Sequence, residues 1–172
     1  VTPVNDPPSF QLAANITGNE DTPAELPGVI VNISPGGPDE SDQTVTFQVA
    51  TNNPILFEVQ PTFDSNGTLR YTPAAGEAGT AQITSTQVAG DQVHAPQITA
   101  PAVVPGGTAN NGNDTSAPQI LNLTINPVDD PPVANDDSGD GFATDEDTTL
   151  DFTDDDLLAN DTDGDGHDTI SV

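Results

Sequence analysis

Near its end the chain reads Asp161-Thr162-Asp163-Gly164-Asp165-Gly166-His167-Asp168, which sets carboxylates two residues apart around glycines that permit a sharp turn. Hard, oxygen-only side chains at that spacing suit calcium, which takes about six to eight oxygens at about 2.3–2.6 Å. Helix–loop–helix calcium sites open on the same pattern, but they require a bidentate glutamate at the twelfth loop position. Here that position is Val172, and no helical period flanks it. Zinc would draw on cysteine or histidine, and the chain has no cysteine and only His94 and His167. Magnesium prefers stricter geometry and fewer carboxylates. The local chemistry therefore points to calcium.

A second group of acids sits in a repeated phrase. Pro3-Val4-Asn5-Asp6-Pro7-Pro8 returns as Pro127-Val128-Asp129-Asp130-Pro131-Pro132, and Glu20-Asp21-Thr22 returns as Glu146-Asp147-Thr148. Two landmarks repeated in the same order mark a tandem array. The boundaries that follow are a joint at residues 1–8, a whole repeat at 9–126, a second joint at 127–132, and the start of another repeat at 133–172. Paired prolines fix φ and cannot continue a sheet, so each joint is expected to be stiff and extended. Val1-Thr2-Pro3 reads as the end of a preceding strand, so the chain is expected to be an interior piece of something longer.

Composition limits what the chain can touch. Twenty-eight acidic residues stand against one basic residue, Arg70, for a formal net charge of −27. Nucleic acid and anionic membrane surfaces are disfavoured partners, and no apolar run approaches a membrane span. The same excess of charge works against a compact state, and the chain has almost no cations to offset it. Lack of cysteine removes disulfides and thiolate chemistry together. Bound metal ions are one remaining way to stabilise a small secreted domain.

The elements that must carry these acids read as strands. Val45, Phe47 and Val49 alternate with polar residues, as do Leu121, Leu123 and Ile125. Phe10–Ala13, Glu25–Ile33, Ile55–Gln60, Thr68–Thr72 and Thr80–Val88 give weaker strand signals, and Asp154–Ala159 suits one helical turn. Seven strands with frequent Gly and Pro punctuation predict an all-β, immunoglobulin-like sandwich. Because strands alternate in direction, loops Ser34–Gln43, Pro61–Gly67 and Ala89–Pro118 belong near the entry joint. Loops Ile16–Ala24, Thr51–Pro54 and Pro73–Gly79 belong near the exit. The loop at 89–118 exceeds ordinary connection lengths, so it is either a plain insertion or a binding element. Gln97–Thr99 and Ala102–Val104 could pair as a short hairpin inside it.

Sorted in this way, the acids form two clusters. Glu20, Asp21 and Glu77 gather at the exit beside Asp129 and Asp130, and the next repeat is expected to bring Asp161, Asp163, Asp165 and Asp168 to the same place. At the entry the matching group is Asn5, Asp6, Asp39, Glu40 and Asp42, with Asp91 and Asp114 as further candidates. Charge runs usually only solubilise a surface. Here, though, acids concentrate in loops and joints and are nearly absent from the middle strands.

Val4-Asn5-Asp6-Pro7-Pro8 and its copy, Asn19-Glu20-Asp21-Thr22, Gly37-Pro38-Asp39-Glu40, Gly106-Gly107-Thr108-Ala109-Asn110 and Leu157-Leu158-Ala159-Asn160-Asp161-Thr162-Asp163 resemble the cadherin-like and immunoglobulin-like repeats of large bacterial surface adhesins. The resemblance spans nearly the whole chain. It implies type I export, a secreted or cell-surface location, and calcium between repeats stiffening a stalk that supports adhesion or biofilm formation. The long segment Gln87–Pro105 departs from the pattern.

Several other signals carry little. Six N-x-S/T triplets are what an Asn- and Thr-rich chain produces by composition, and the Asp-Pro bonds are explained by the duplicated joint. No residues assemble into a catalytic set. The expectation is a non-enzymatic, calcium-stiffened extender whose partners are adjacent repeats of the same polypeptide. The rival expectation is a module that binds a host or surface glycan or protein through loop 89–118. A self-assembling surface-layer protein is a third.

Overall fold

The computed structural model describes residues 4–90, 112–138, 142–165 and 170–171. Among these the chain is almost entirely β-structure. Its strands are β1 (Ser9–Leu12), β2 (Ile16–Asn19), β3 (Ala24–Leu26), β4 (Ile30–Ser34), β5 (Thr44–Thr51), β6 (Phe57–Phe63), β7 (Leu69–Pro73), β8 (Gly79–Gly90) and β9 (Gln119–Asn126). A single helical turn, α1 (Asp154–Leu158), follows.

Two layers face each other. One is the four-stranded sheet β2-β9-β8-β5, in which β2 runs parallel to β9 and the other pairs are antiparallel. The other contains the pair β1-β4 and the triplet β3-β7-β6. Ile30 N–H donates to Gly67 O at 3.1 Å, so β4 continues the line of β3 beside the strand that β7 opens. This is the strand order of an immunoglobulin-like sandwich, and the all-β expectation holds.

Period-two alternation produces the core. Leu121, Leu123 and Ile125 of β9 and Ala81 and Ile83 of β8 are buried from one sheet, while Phe10, Ile30, Leu69 and Tyr71 are buried from the other. Val49 and Phe47 of β5 pack against them. Edge-on aromatic pairs cross the gap: Phe10 to Phe47 at 5.4 Å and Phe47 to Phe63 at 6.1 Å between ring centroids. Each fully buried Leu or Ile contributes about 1.5–3 kcal/mol relative to exposure.

Two strand expectations need correction. Ile16–Asn19 lies within a stretch read as loop but forms β2, a short strand that contains Gly18 and pairs in parallel with the end of β9. Glu25–Ile33, read as one strand, is two, because Gly28 adopts φ +73 between them; β3 pairs with β7, and β4 pairs with β1. The suggested hairpin within 97–104 lies outside the described residues, as do Asp91 and the Gly106–Asn110 phrase.

The segment after Pro132 opens with a pairing like the one that opens the sandwich. Val133 pairs antiparallel with Thr162, as Ser9 pairs with Ser34 at the head of β1 and β4. None of the described residues from 126 onward is buried, so this segment contributes no core of its own. No helix among the described residues is long and apolar enough to cross a membrane.

Candidate metal centre at the joint

The parallel pairing of β2 with β9 decides where the first acid goes. Asn19 lies opposite Asn126, and Glu20 N–H donates to Asn126 O at 3.1 Å, so Glu20 is delivered where β9 gives way to the joint. Its side chain is 2 % exposed. One carboxylate oxygen, Oε1, accepts from Val128 N–H at 2.9 Å, whereas Oε2 is buried with no hydrogen-bond partner. A buried carboxylate oxygen without a partner is costly, and a cation is one group that would offset that cost.

Asp21 follows with φ +58, a left-handed conformation that non-glycine residues seldom adopt. The turn sends its carboxylate toward the joint. Asp130 has its pKa raised, first by the Asp21 charge, then by partial burial, then by Asp165, Asp163 and Asp129. Like charges disfavour ionisation, so the charges of four carboxylates from three separate segments converge on Asp130 here.

The third segment is placed by the Val133–Thr162 bridge, in which each residue's N–H donates to the other's carbonyl, at 2.7 and 3.1 Å. Residues 163–165 then turn back onto the joint. Asp165 Oδ2 accepts from Asp130 N–H at 2.6 Å, and Asp165 N–H donates to Asp163 Oδ1 at 3.0 Å. Gly164 lies close against Asp130, so that a β-carbon there would lie 2.9 Å from Asp130 Oδ2. Gly76, of the loop between β7 and β8, approaches as closely from the other side: a β-carbon on it would lie 2.5 Å from Gly164 O. A groove of about 600 Å3 opens beside these acids, with Ile125, Pro127 and Val128 as apolar wall and Asp129 and Asp165 at its rim.

The structure thus brings Glu20, Asp21, Asp129, Asp130, Asp163 and Asp165 to one joint. Glu77 lies in the Gly76 loop but is exposed, and its charge is not among those acting on Asp130. Asp161 is turned away from the joint, and its Oδ1 accepts from Asn135 N–H at 2.7 Å. Asp168 lies outside the described residues. Among the described residues no three or more acidic or imidazole side chains are drawn in as tightly as a bound metal would hold them.

The entry joint uses the same geometry with different chemistry. Asp6 N–H donates to Glu40 Oε1 at 2.6 Å, matching the Asp130–Asp165 contact, and Gly37 N–H donates to Glu40 Oε2 at 2.8 Å. Glu40 is buried with both oxygens satisfied. Asn5 is committed on both sides of its amide, accepting from Gln43 at 2.7 Å and donating to Asn113 O at 2.8 Å. Asp6 and Asp39 both reach Gly37, while Asp42 is exposed. Asp114 accepts from the Thr115 hydroxyl at 2.9 Å.

Sequence reasoning missed the burial of Glu20, because it depends on β2. Gly18, a glycine inside a strand pattern, was the available signal for a close approach at that point. Fold and site together define a β-sandwich that leads into an acidic, proline-paired segment. No family model, no curated protein and no solved structure matches the chain.

Proposed function

We propose that the chain is a calcium-stiffened extender module of a secreted surface adhesin, in which the ion fixes the angle between successive sandwiches. The observation that carries this reading is the buried, unpartnered Oε2 of Glu20 at the joint where Asp21, Asp129, Asp163 and Asp165 all act on Asp130. These six residues would hold the ion, and a divalent cation there supplies positive charge that the chain itself lacks. The donors are all oxygen, the set that calcium takes.

The consequence is mechanical rather than chemical. The ligands come from the repeat before the joint, the joint itself and the repeat after it, so any ion they share ties two domains across Pro131 and Pro132. Adjacent repeats are accordingly the principal partners, and a stiff stalk holding an adhesive tip away from a cell surface is the use that fits. Calcium titration calorimetry on the chain tests this. The expected result is saturable binding that weakens when Asp130 or Asp165 becomes Asn; no binding at millimolar calcium, or no effect of either substitution, would overturn it.

A further inference from the structure

Each sheet ends in strands whose outer N–H and C=O groups can pair with another chain, and folds blunt such edges with brevity, charge, proline or bulges. Most of the outer strands here are blunted in these ways. β2 is four residues long and contains Gly18, and β3 is three residues long with Glu25 at its centre. β1 is four residues long and shifts register against β4. β6 carries Glu58 and Pro61 and shifts register twice against β7. β5 has none of these devices: its eight residues run in unbroken register with β8 and include no charge, proline or glycine. Among the described residues β8 is the one strand with which it pairs.

The core is also less well covered on that side. Leu121, Leu123 and Ile125 of β9 are at most 1 % exposed, whereas Val45, Phe47 and Val49, which alternate inward on β5, are only half-buried. Phe47 packs edge-on against Phe10 and Phe63, yet among the described residues no strand lies beside the flank of β5 that faces away from β8. A strand added there would pair the outer backbone groups and cover these apolar flanks together, the two gains that drive strand addition.

We infer that the outer edge of β5, from Val45 to Thr51, is a self-association surface, on which a second copy of this chain lays its own β5 antiparallel and joins the two four-stranded sheets into one. The strand itself selects this partner. When a strand pairs antiparallel with its own copy about a twofold axis through one residue, inner residues meet inner ones and outer meet outer. Centred on Phe47, each Phe47 faces the other, Val45 faces Val49 of the other copy, and on the outer face Thr46 faces Gln48. No carboxylate opposes another along this edge, although each copy carries a net charge of −27. Salt screens the remaining long-range repulsion, so the pairing strengthens as ionic strength rises. β5 lies at the opposite side of its sheet from β2, which leads into Glu20, so the contact leaves the joint and its acids free.

Sedimentation equilibrium of the chain in chelator, from about 10 µM to about 1 mM, reads the association, and because one strand pair is a small interface the dimer is expected toward the upper end. Its proportion is expected to rise between about 50 mM and about 500 mM sodium chloride. Amide hydrogens within Val45–Thr51 are expected to exchange more slowly at the higher protein concentration, while those of β6 do not change. Thr46→Glu combined with Gln48→Glu opposes like charges across the twofold at exposed positions and is expected to weaken the dimer about tenfold. Thr62→Glu combined with Thr80→Glu adds the same charge at exposed positions on β6 and β8 and is expected to weaken it by no more than about twofold. A chain that stays monomeric throughout, an oligomer that forms without slower exchange in β5, or a dimer indifferent to the Thr46 and Gln48 substitutions would overturn the inference.

Discussion

The two joints carry nearly the same words and settle their charges in opposite ways. At the entry, Glu40 is buried but both its oxygens accept backbone N–H groups, and Asn5 is clamped by Gln43 and Asn113. At the middle joint, Glu20 is buried with one oxygen satisfied and one not, and four further acids press on Asp130. The first arrangement is closed by the protein's own donors; the second has acceptors to spare. Repetition of a sequence word thus fixes the backbone geometry, while neighbouring residues decide whether the carboxylates are structural or available.

The largest expected separation between the joints comes from Glu20→Ala. It leaves Val128 N–H unpaired and removes a ligand, costing about 1–3 kcal/mol with calcium. With chelator the loss should be smaller, because the unmet oxygen disappears as well. Urea unfolding under both conditions measures this, and equal losses would contradict the account. Glu40→Gln sets an amide nitrogen against a backbone donor and should cost about 1–2 kcal/mol, by the same amount in calcium and in chelator. A calcium-dependent loss there would erase the distinction between the joints.

Asp130→Asn should lower calcium affinity about tenfold through loss of ligand charge. In chelator it should leave stability unchanged or raised, since the like-charge repulsion around Asp130 is relieved. Calorimetry and thermal melts together check the two signs.

How far these contrasts could be read from sequence differed by element. Alternation at Val45-Phe47-Val49 and Leu121-Leu123-Ile125 was enough to place β5 and β9, because half-buried antiparallel strands state their inward face every second residue. β2 was not legible: it is four residues long, contains Gly18, and gains its place from parallel pairing with β9. Glu20's burial was hidden for the same reason. Grouping the Asp161–Asp168 loop with Asp129 and Asp130 followed from counting strand reversals, and residues 163–165 do arrive there. The same count placed the Glu77 loop at the right end, but it carries no information on where a side chain points, and Glu77 is exposed.

The smallest effect lies away from both joints. Arg70, on β7, pairs with Glu25 of β3 at 2.7 Å and with Asp64 at 2.8 Å on the exposed face. Hydrogen bonds from Thr68 N–H and Arg70 hold the Asp64 pKa down to about 2, below its ordinary 3.8. A depressed carboxyl contributes its stability fully above the ordinary value and loses it as pH falls through about 2. Carboxyl carbon NMR should follow that low titration, and Arg70→Gln should return it toward the ordinary value without altering the calcium response.

X-ray scattering from the chain in calcium and then in excess chelator tests the central claim most directly. The account predicts a longer, narrower distance distribution with calcium and a shorter, broader one without it, with the difference abolished by combining Glu20→Gln with Asp130→Asn. Identical distributions in calcium and chelator would contradict it.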